Sequence, residues 1–250
     1  MDKNRIRVMG VGFDPLTPGQ ASDELAAALS GGAGRPVYAV TPNPVMLMEA
    51  RNNRPFREIL NSADFVLCDG SGVLGAAERQ GTPLPGRVTG IDTGMTLLRT
   101  SALTGRRVFL FGGMPGRAAA AAEELCREIP GLSIAGTSDG YGDAENTEVL
   151  VRKITESGTD LLIVCLGTPK QEKWIADNIG RLNGVKVIMA LGGAVDVWSG
   201  SVRRAPSVFI ALRAEWLWRM IVSPSKVKLL PKLIKFRLLT RKGGKSACNQ

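Results

Sequence analysis

Short apolar runs separated by longer mixed segments set the rhythm of this chain. Seven runs read as strands: 6–11, 37–41, 65–68, 108–111, 132–135, 161–166 and 185–191. They are rich in Val, Ile, Leu and Phe without strict polar alternation, the pattern of strands covered on both faces. Helix signals fit between them. Thr17 is placed to cap a helix over 22–29, and Asn43 to cap one whose first position is Pro44, where a missing N–H costs nothing. Pro115 opens an alanine-rich stretch over 116–128, and Thr168 with Pro169 opens 170–182. Strands alternating with helices predict an α/β fold built on a largely parallel sheet, with helices on both faces. No internal repeat and no long linker interrupts residues 1–200, which read as one body.

Ligands of such sheets bind outside the carboxyl ends of the strands, as in Rossmann-like folds. Five predicted strands end in small or turn-forming residues: Thr41-Pro42-Asn43-Pro44, Cys68-Asp69-Gly70-Ser71-Gly72, Gly112-Gly113-Met114-Pro115-Gly116, Gly167-Thr168-Pro169-Lys170-Gln171 and Gly192-Gly193-Ala194-Val195-Asp196. Glycine lets a backbone approach a ligand closely, and helix N-termini offer N–H groups to phosphate. One such turn is an ordinary strand–helix connection. Five on one edge favour a nucleotide or a phosphorylated ligand without naming it.

Composition narrows the chemistry. The 250 residues contain no histidine, which excludes a Ser-His-Asp triad, a Cys-His dyad and a His-ligated metal. A general base must then be a carboxylate or, less often, Lys, Tyr or Cys. Asp69 is the foremost candidate, because a strand-end aspartate faces the crevice; the plain alternative is an Asx turn onto its own loop. Asp92, Asp139 and Asp196 are similar loop acids. Lys170 and Gln171 lie in the first turn of a helix, where they would meet a phosphate or a sugar hydroxyl, or water. Thr41 and Asn43 offer small donors and acceptors, or serve as caps. No acid cluster has metal-ligand spacing, so no metal is demanded. Cys68 and Cys165 sit in apolar runs, Cys126 and Cys248 complete the set, and none forms C-x-x-C, which suits reduced, buried thiols of the cytosol. A polar start leading into a strand carries no signal-peptide pattern, and no apolar stretch reaches the ~18 residues of a membrane span.

Charge divides the chain. Its formal net charge is +9, but residues 201–250 hold twelve Lys or Arg against one acid and carry +11, which leaves −2 for residues 1–200. Pro206 opens a helix candidate containing Phe209, Trp216 and Trp218. Residues 226–242 then read KVKLLPKLIKFRLLTRK, with Val227, Leu230, Ile234 and Leu238 on one helical face, Leu229, Leu233 and Phe236 broadening the apolar side, and Pro231 disturbing the first turns. Basic charge beside leucines and tryptophans suits an anionic membrane surface, where each cation contributes about 1 kcal/mol. Nucleic-acid binding, an oligomer contact, and a solvated tail compete with that reading.

Thr41-Pro42-Asn43, Asp69-Gly70-Ser71-Gly72, Arg87-Val88-Thr89-Gly90-Ile91-Asp92, Asp139-Gly140-Tyr141, Gly167-Thr168-Pro169-Lys170-Gln171-Glu172-Lys173-Trp174, Gly192-Gly193-Ala194-Val195-Asp196 and Glu215-Trp216-Leu217-Trp218-Arg219 occur in this order. In these motifs the chain resembles the WecG/TagA/CpsF glycosyltransferases, glycosyltransferase family 26. The resemblance implies an inverting transfer of a sugar from a UDP-sugar to a lipid-diphosphate-linked acceptor. For typical members this is N-acetylmannosamine, or its uronic acid, added to undecaprenyl-diphosphate-GlcNAc for teichoic acid or surface polysaccharide. It also implies work without a metal cofactor, at the cytoplasmic face of the cell membrane, with no nucleic-acid partner and with a homo-oligomer possible.

By the same resemblance Asp69 is the base that deprotonates the acceptor, Thr41 and Asn43 line its pocket, and Gln171 holds a sugar. Gly112, Gly113 and Asp196 face the nucleotide, with Asp139, Tyr141, Gly167 and Lys170 nearby. Residues 201–250 form a basic helical appendage that docks on the membrane and closes the site, with Arg204, Arg219 and Lys226 toward the diphosphate. Lys226 stands where arginine is usual, keeping the charge but losing the bidentate fork. Two other functions remain in contention. A nicotinamide enzyme needs G-x-G-x-x-G after its first strand, and here Gly10-Val11-Gly12-Phe13-Asp14-Pro15 follows. A nucleic-acid module explains the tail but not the turns.

Overall fold

A computed structural model describes residues 4–32, 34–141, 146–203, 205–206, 209, 218 and 228–242. Six strands form one parallel sheet: β3 (Val37–Val40), β4 (Phe65–Val66), β5 (Arg107–Gly112), β6 (Ser133–Ser138), β7 (Leu161–Cys165) and β8 (Val187–Ala190). Their order is β4-β3-β8-β7-β5-β6, and every pairing is parallel. All six carboxyl ends therefore point to one edge. The expected strand 132–135 begins one residue later and runs on to Ser138.

Period-2 alternation divides the sheet side chains between two cores. Val108, Leu110, Leu161, Ile163, Val187 and Met189 belong to one. Phe109, Phe111, Leu162, Val164, Ile188 and Ala190 belong to the other. The first core is covered by α1 (Pro18–Ser30), α5 (Gly90–Thr104), α6 (Arg117–Glu128) and the short α9 (Ala194–Trp198). The second is covered by α2 (Pro44–Asn52), α3 (Arg54–Ser62), α4 (Ser71–Arg79), α7 (Thr147–Glu156) and α8 (Lys170–Asn178). Both faces are thus sheathed by helices, as the uninterrupted apolar runs predict.

Local signals explain the helix starts. Thr17 forms a capping box with Gln20, so α1 begins at Pro18, four residues before the predicted start. Asn43 accepts from the N–H groups of Val45 and Met46 at the head of α2. Predicted helix 170–182 is shorter than expected: α8 ends at Asn178 and a 3₁₀ turn, Ile179–Arg181, follows.

The first strand differs most from expectation. Residues 6–11 are not one strand of the parallel sheet but part of an antiparallel hairpin, β1 (Ile6–Val8) and β2 (Val11–Phe13). Met9 (φ 50°) and Gly10 (φ 82°) both adopt left-handed backbone, the requirement of a tight two-residue hairpin turn. The hairpin guards the β4 edge of the sheet. Asp14 Oδ2 accepts from Val66 N–H at 2.7 Å, and Asp14 N–H donates to the Val66 carbonyl at 2.9 Å. Arg5 binds both Asp14 oxygens at 3.0 and 3.1 Å and donates to the carbonyls of Asn61, Ala63 and Asp64. An edge saturated in this way offers no template for a stray strand.

The basic segment contributes α10 (Leu230–Lys242), with Pro231 tolerated in its first turn. On the expected apolar side, Ile234 and Leu238 face away from the body, whereas Phe236 packs on it. Val227 lies outside the described residues, Phe236 is the buried side chain, Leu239 packs beside it, and Ile234 and Leu238 are 52% and 54% exposed. The partner surface decides this. α10 lies on α2 and α4, where Arg79 donates to the Thr240 carbonyl and hydroxyl and Lys232 pairs with Glu49 at 3.1 Å. The apparent helix face of an isolated sequence has no such partner to consult.

Among the described residues no helix is long and apolar enough to cross a membrane. Cys68 and Cys165 are buried free thiols, as expected, whereas Cys126 is exposed on α6. Burial pushes the thiols of Cys68 and Cys165 up to about 12, so neither is a nucleophile at neutral pH.

Candidate active site

A cavity of about 170 Å³ opens at the carboxyl edge of β3, β4, β7 and β8. Thr41, Asn43, Asp69, Gln171 and Asp196 line it, from separate segments of the chain. Thr41 follows β3 directly and is buried. Gly90, at the head of α5, leaves room for two side chains there: a Cβ at that position would lie 2.8 Å from Thr41 Oγ1 and 3.0 Å from Leu191 Cδ2. Asn43 has two duties, since its Oδ1 is committed to the α2 cap while its residue lines the cavity. Its amide nitrogen is what remains for a ligand.

Asp69 is carried beyond β4 by a stretch that keeps pairing with its neighbours. Leu67 N–H reaches the Val40 carbonyl at 2.8 Å, and Val88 N–H reaches the Cys68 carbonyl at 2.8 Å. The second bond brings Arg87 beside Asp69. Its Nη2 lies 3.1 Å from Asp69 Oδ1 and its Nε donates to the Asp69 carbonyl at 3.1 Å. Both side chains are about three-quarters shielded, with 22% and 24% of their surface exposed. Arg87 and Thr89 also wall a second hollow of about 340 Å³ at the N-terminal ends of α1 and α5, where Asp92 accepts from Thr89.

Gln171 is nearly buried, and its amide is fully oriented. Oε1 accepts from Gly167 N–H at 3.2 Å and from Gly192 N–H at 2.9 Å, while Nε2 donates to Glu172 at 2.7 Å. Asp196 pairs with Arg117 of α6 at 3.2 Å. From beyond residue 200, Arg203 and Trp218 reach the cavity, with Trp218 Nε1 donating to the Arg203 carbonyl at 3.2 Å and its ring 5.4 Å from that of Phe209.

Residues 6–246 match the model of the WecG/TagA/CpsF glycosyl transferase family. The chain belongs to that family. It is 37% identical over 199 residues to an N-acetylglucosaminyldiphosphoundecaprenol N-acetyl-beta-D-mannosaminyltransferase of Bacillus spizizenii, covering 80% of this chain and 76% of that protein. A Bacillus subtilis protein of the same name is 34% identical, with 82% and 79% covered. One from Staphylococcus aureus is 30% identical, with 89% and 87% covered.

Within this WecG/TagA/CpsF member the expected site residues fall into three groups. Thr41, Asn43, Asp69, Gln171 and Asp196 come together at the cavity, and Gly167 joins them through its bond to Gln171. Gly112, Gly113, Asp139, Tyr141 and Lys170 do not line it. The Gly113 N–H is bound to the Cys165 carbonyl at 3.1 Å, and Gly140 N–H to the Gly113 carbonyl at 3.0 Å. Tyr141 N–H is bound to Asp139 Oδ1 at 2.8 Å in an Asx turn. Lys170 is exposed on α8. Arg204, Arg219 and Lys226 lie outside the described residues.

Arg87, Arg203 and Trp218 line the cavity and Arg117 meets Asp196 there, although the sequence reading named none of the four as a site residue. Arg87 stands 18 positions from Asp69, and no spacing rule joins residues that meet only through a tertiary backbone bond. The family match leaves the nicotinamide and nucleic-acid alternatives without a feature of their own.

Proposed function

We propose that this chain is an inverting hexosyltransferase that moves N-acetylmannosamine from a UDP-sugar to undecaprenyl-diphosphate-linked GlcNAc, in teichoic acid or surface polysaccharide synthesis. The observation that carries the proposal is a strand-end carboxylate, Asp69, lining a polar cavity in a chain of this family. The activity named for the three relatives supplies the acceptor and the sugar.

In this reading the Asp69 carboxylate takes the proton of the acceptor hydroxyl. The freed oxygen attacks the anomeric carbon from the face opposite the nucleotide, the bond from that carbon to the UDP oxygen breaks, and UDP leaves with the electron pair. Arg87 fixes Asp69 through both a backbone and a side-chain bond, so the base is oriented before substrate arrives. Thr41 and the Asn43 amide nitrogen bind sugar hydroxyls, and Asp196, held by Arg117, faces the nucleoside. Charge developing on UDP needs cations, and Arg203, Arg204, Arg219 and Lys226 supply them from the basic segment. Transfer is therefore proposed to need no metal and to continue in the presence of a chelator.

The partition into a body over 1–200 and an appendage over 201–250 serves the same reaction. Ile234 and Leu238, four residues apart and exposed, share a surface with exposed Lys235, Arg237 and Arg241. That chemistry fits an anionic bilayer and supports a peripheral enzyme on the inner face of the cell membrane, where its lipid acceptor resides.

A UDP-release assay tests the function. A panel of UDP-sugars is offered with a short-chain lipid-diphosphate-GlcNAc acceptor, with and without EDTA. Release that requires both the acceptor and UDP-N-acetylmannosamine, and that EDTA leaves intact, is the expected result. Release with another sugar alone would reassign the donor, and none with any donor would reject the reaction.

A further inference from the structure

Behind the cavity wall lies a polar cluster with no assigned role. Glu172, on α8, is fully buried. Its Oε1 accepts from Gln171 Nε2 at 2.7 Å and from Thr168 Oγ1 at 3.1 Å. Among the described residues Glu172 Oε2, the Tyr38 hydroxyl on β3 and the Trp174 indole nitrogen are buried without a hydrogen-bond partner. Gln171 turns its own oxygen to the N–H groups of Gly167 and Gly192, in the turns that follow β7 and β8. With that oxygen taken twice, the amide nitrogen has to face Glu172, and an amide nitrogen carries a second N–H for another acceptor.

We infer that Glu172 is a positioning residue for sugar transfer: it holds the Gln171 amide in the one orientation that ties the Gly167 and Gly192 turns together at the cavity. The inference rests on the reaction proposed above. Burial raises the Glu172 carboxyl from its ordinary value, outweighing the hydrogen bonds from Gln171 and Thr168 that pull it down. Tyr38 is raised well above its usual value too, by burial first and then by the Glu172 charge, so an ionised Glu172 has no compensating cation in that pair. A neutral carboxyl keeps its acceptor toward Gln171 and gains an O–H donor at Oε2.

Two variants of the full chain and two readouts test this. Glu172→Gln preserves the acceptor and replaces the O–H by N–H, so kcat should stay within about threefold of wild type. Glu172→Leu cannot accept from Gln171, so kcat should fall by about 30-fold or more while the UDP dissociation constant, from calorimetry, stays within about threefold. Backbone amide exchange of Gly167 and Gly192, followed by NMR without substrate, should quicken at least about tenfold in Glu172→Leu and not in Glu172→Gln. A folded Glu172→Leu with wild-type kcat and exchange overturns the inference. So does a folded Glu172→Gln that loses kcat or frees the two glycine amides, and that arm decides alone if the leucine variant does not fold. A wild-type chain that transfers no sugar would reject the reaction, while the exchange rates would still judge the clamp.

Discussion

The two halves of the sheet edge look alike in sequence and differ in what their turns have left to offer. Around β3, β4, β7 and β8, residues from separate segments converge on one cavity, which Asp69, Asn43 and Asp196 line. Around β5 and β6 the same small and acidic residues are spent internally. Gly113 and Gly140 N–H groups bond to backbone carbonyls and Asp139 holds the Tyr141 N–H. Glycine at a strand end thus has two uses, approach to a ligand or approach to another strand, and only hydrogen-bond accounting separates them. The C-terminal helix keeps to the first half. α10 packs on α2 and α4, the helices that spring from the Asn43 and Asp69 turns, and Phe236 sits 3.4 Å from where a side chain at position 72 would begin.

The sharpest division should appear between two aspartates. Asp69→Asn keeps shape but cannot accept the proton, so kcat is expected to fall by about 10³-fold with UDP affinity little changed. Asp139→Asn retains an oxygen for the Tyr141 N–H and should stay within about threefold of wild type. Steady-state kinetics on both variants check this. Full activity in the Asp69→Asn enzyme would remove the base from the cavity half, and loss of activity in the Asp139→Asn enzyme would erase the difference between halves.

Next in size is the membrane. The paired substitution Ile234→Asp with Leu238→Asp removes two exposed apolar side chains and adds repulsion from anionic lipid. Each apolar side chain is worth roughly 1.5 kcal/mol when buried, so binding to phosphatidylglycerol vesicles should weaken by about 100-fold in a flotation assay. Tyr141, 55% exposed on the other half, provides the control: Tyr141→Ala should leave vesicle binding as it was. Equal losses in both would show that exposure alone, and not the α10 surface, drives attachment.

Two glycines separate folding from function. Gly112 has φ 123°, and a Cβ there would collide with the Cys165 backbone, so Gly112→Ala should cost about 3 kcal/mol or more, a fall in Tm of about 6 °C or more. Gly90→Ala meets side-chain atoms of Thr41 and Leu191, which can shift. It should cost about 1 kcal/mol of stability but about tenfold in kcat, because Thr41 is displaced in the cavity. Calorimetric melts beside kinetics distinguish the two patterns, and a Gly90→Ala enzyme that is unstable but fully active would reverse the assignment.

Much of this arrangement was legible from local sequence. The apolar runs gave both-face burial, Thr17 and Asn43 gave helix starts, and the strand-end turns gave the ligand edge. Properties that depend on a distant partner were not legible. The Arg87–Asp69 pair needs the 88-to-68 backbone bond, the buried side of α10 needs the α2–α4 surface, and the hairpin needs Met9 in a backbone region that only its turn enforces. At Gly113, composition signals an anion-binding turn, whereas the Cys165 carbonyl has already taken the N–H.

The smallest effect tests whether the cavity half tolerates charge. Glu172 titrates above its usual 4.5 because burial penalises the ionised form. Its favourable contribution is therefore fully present below the unfolded value and is lost as pH rises through the folded one. Glu172→Gln has no such proton to lose. The difference in Tm between the variant and wild type should open in the variant's favour as pH rises from the usual 4.5, and should level off once the folded carboxyl has ionised. For a domain of this size each kcal/mol corresponds to about 2–4 °C. A flat difference for Glu172→Gln would mean that the carboxyl ionises in place without penalty, and the preference for a neutral carboxyl in the clamp between Gln171 and the two glycine turns would lose its energetic basis.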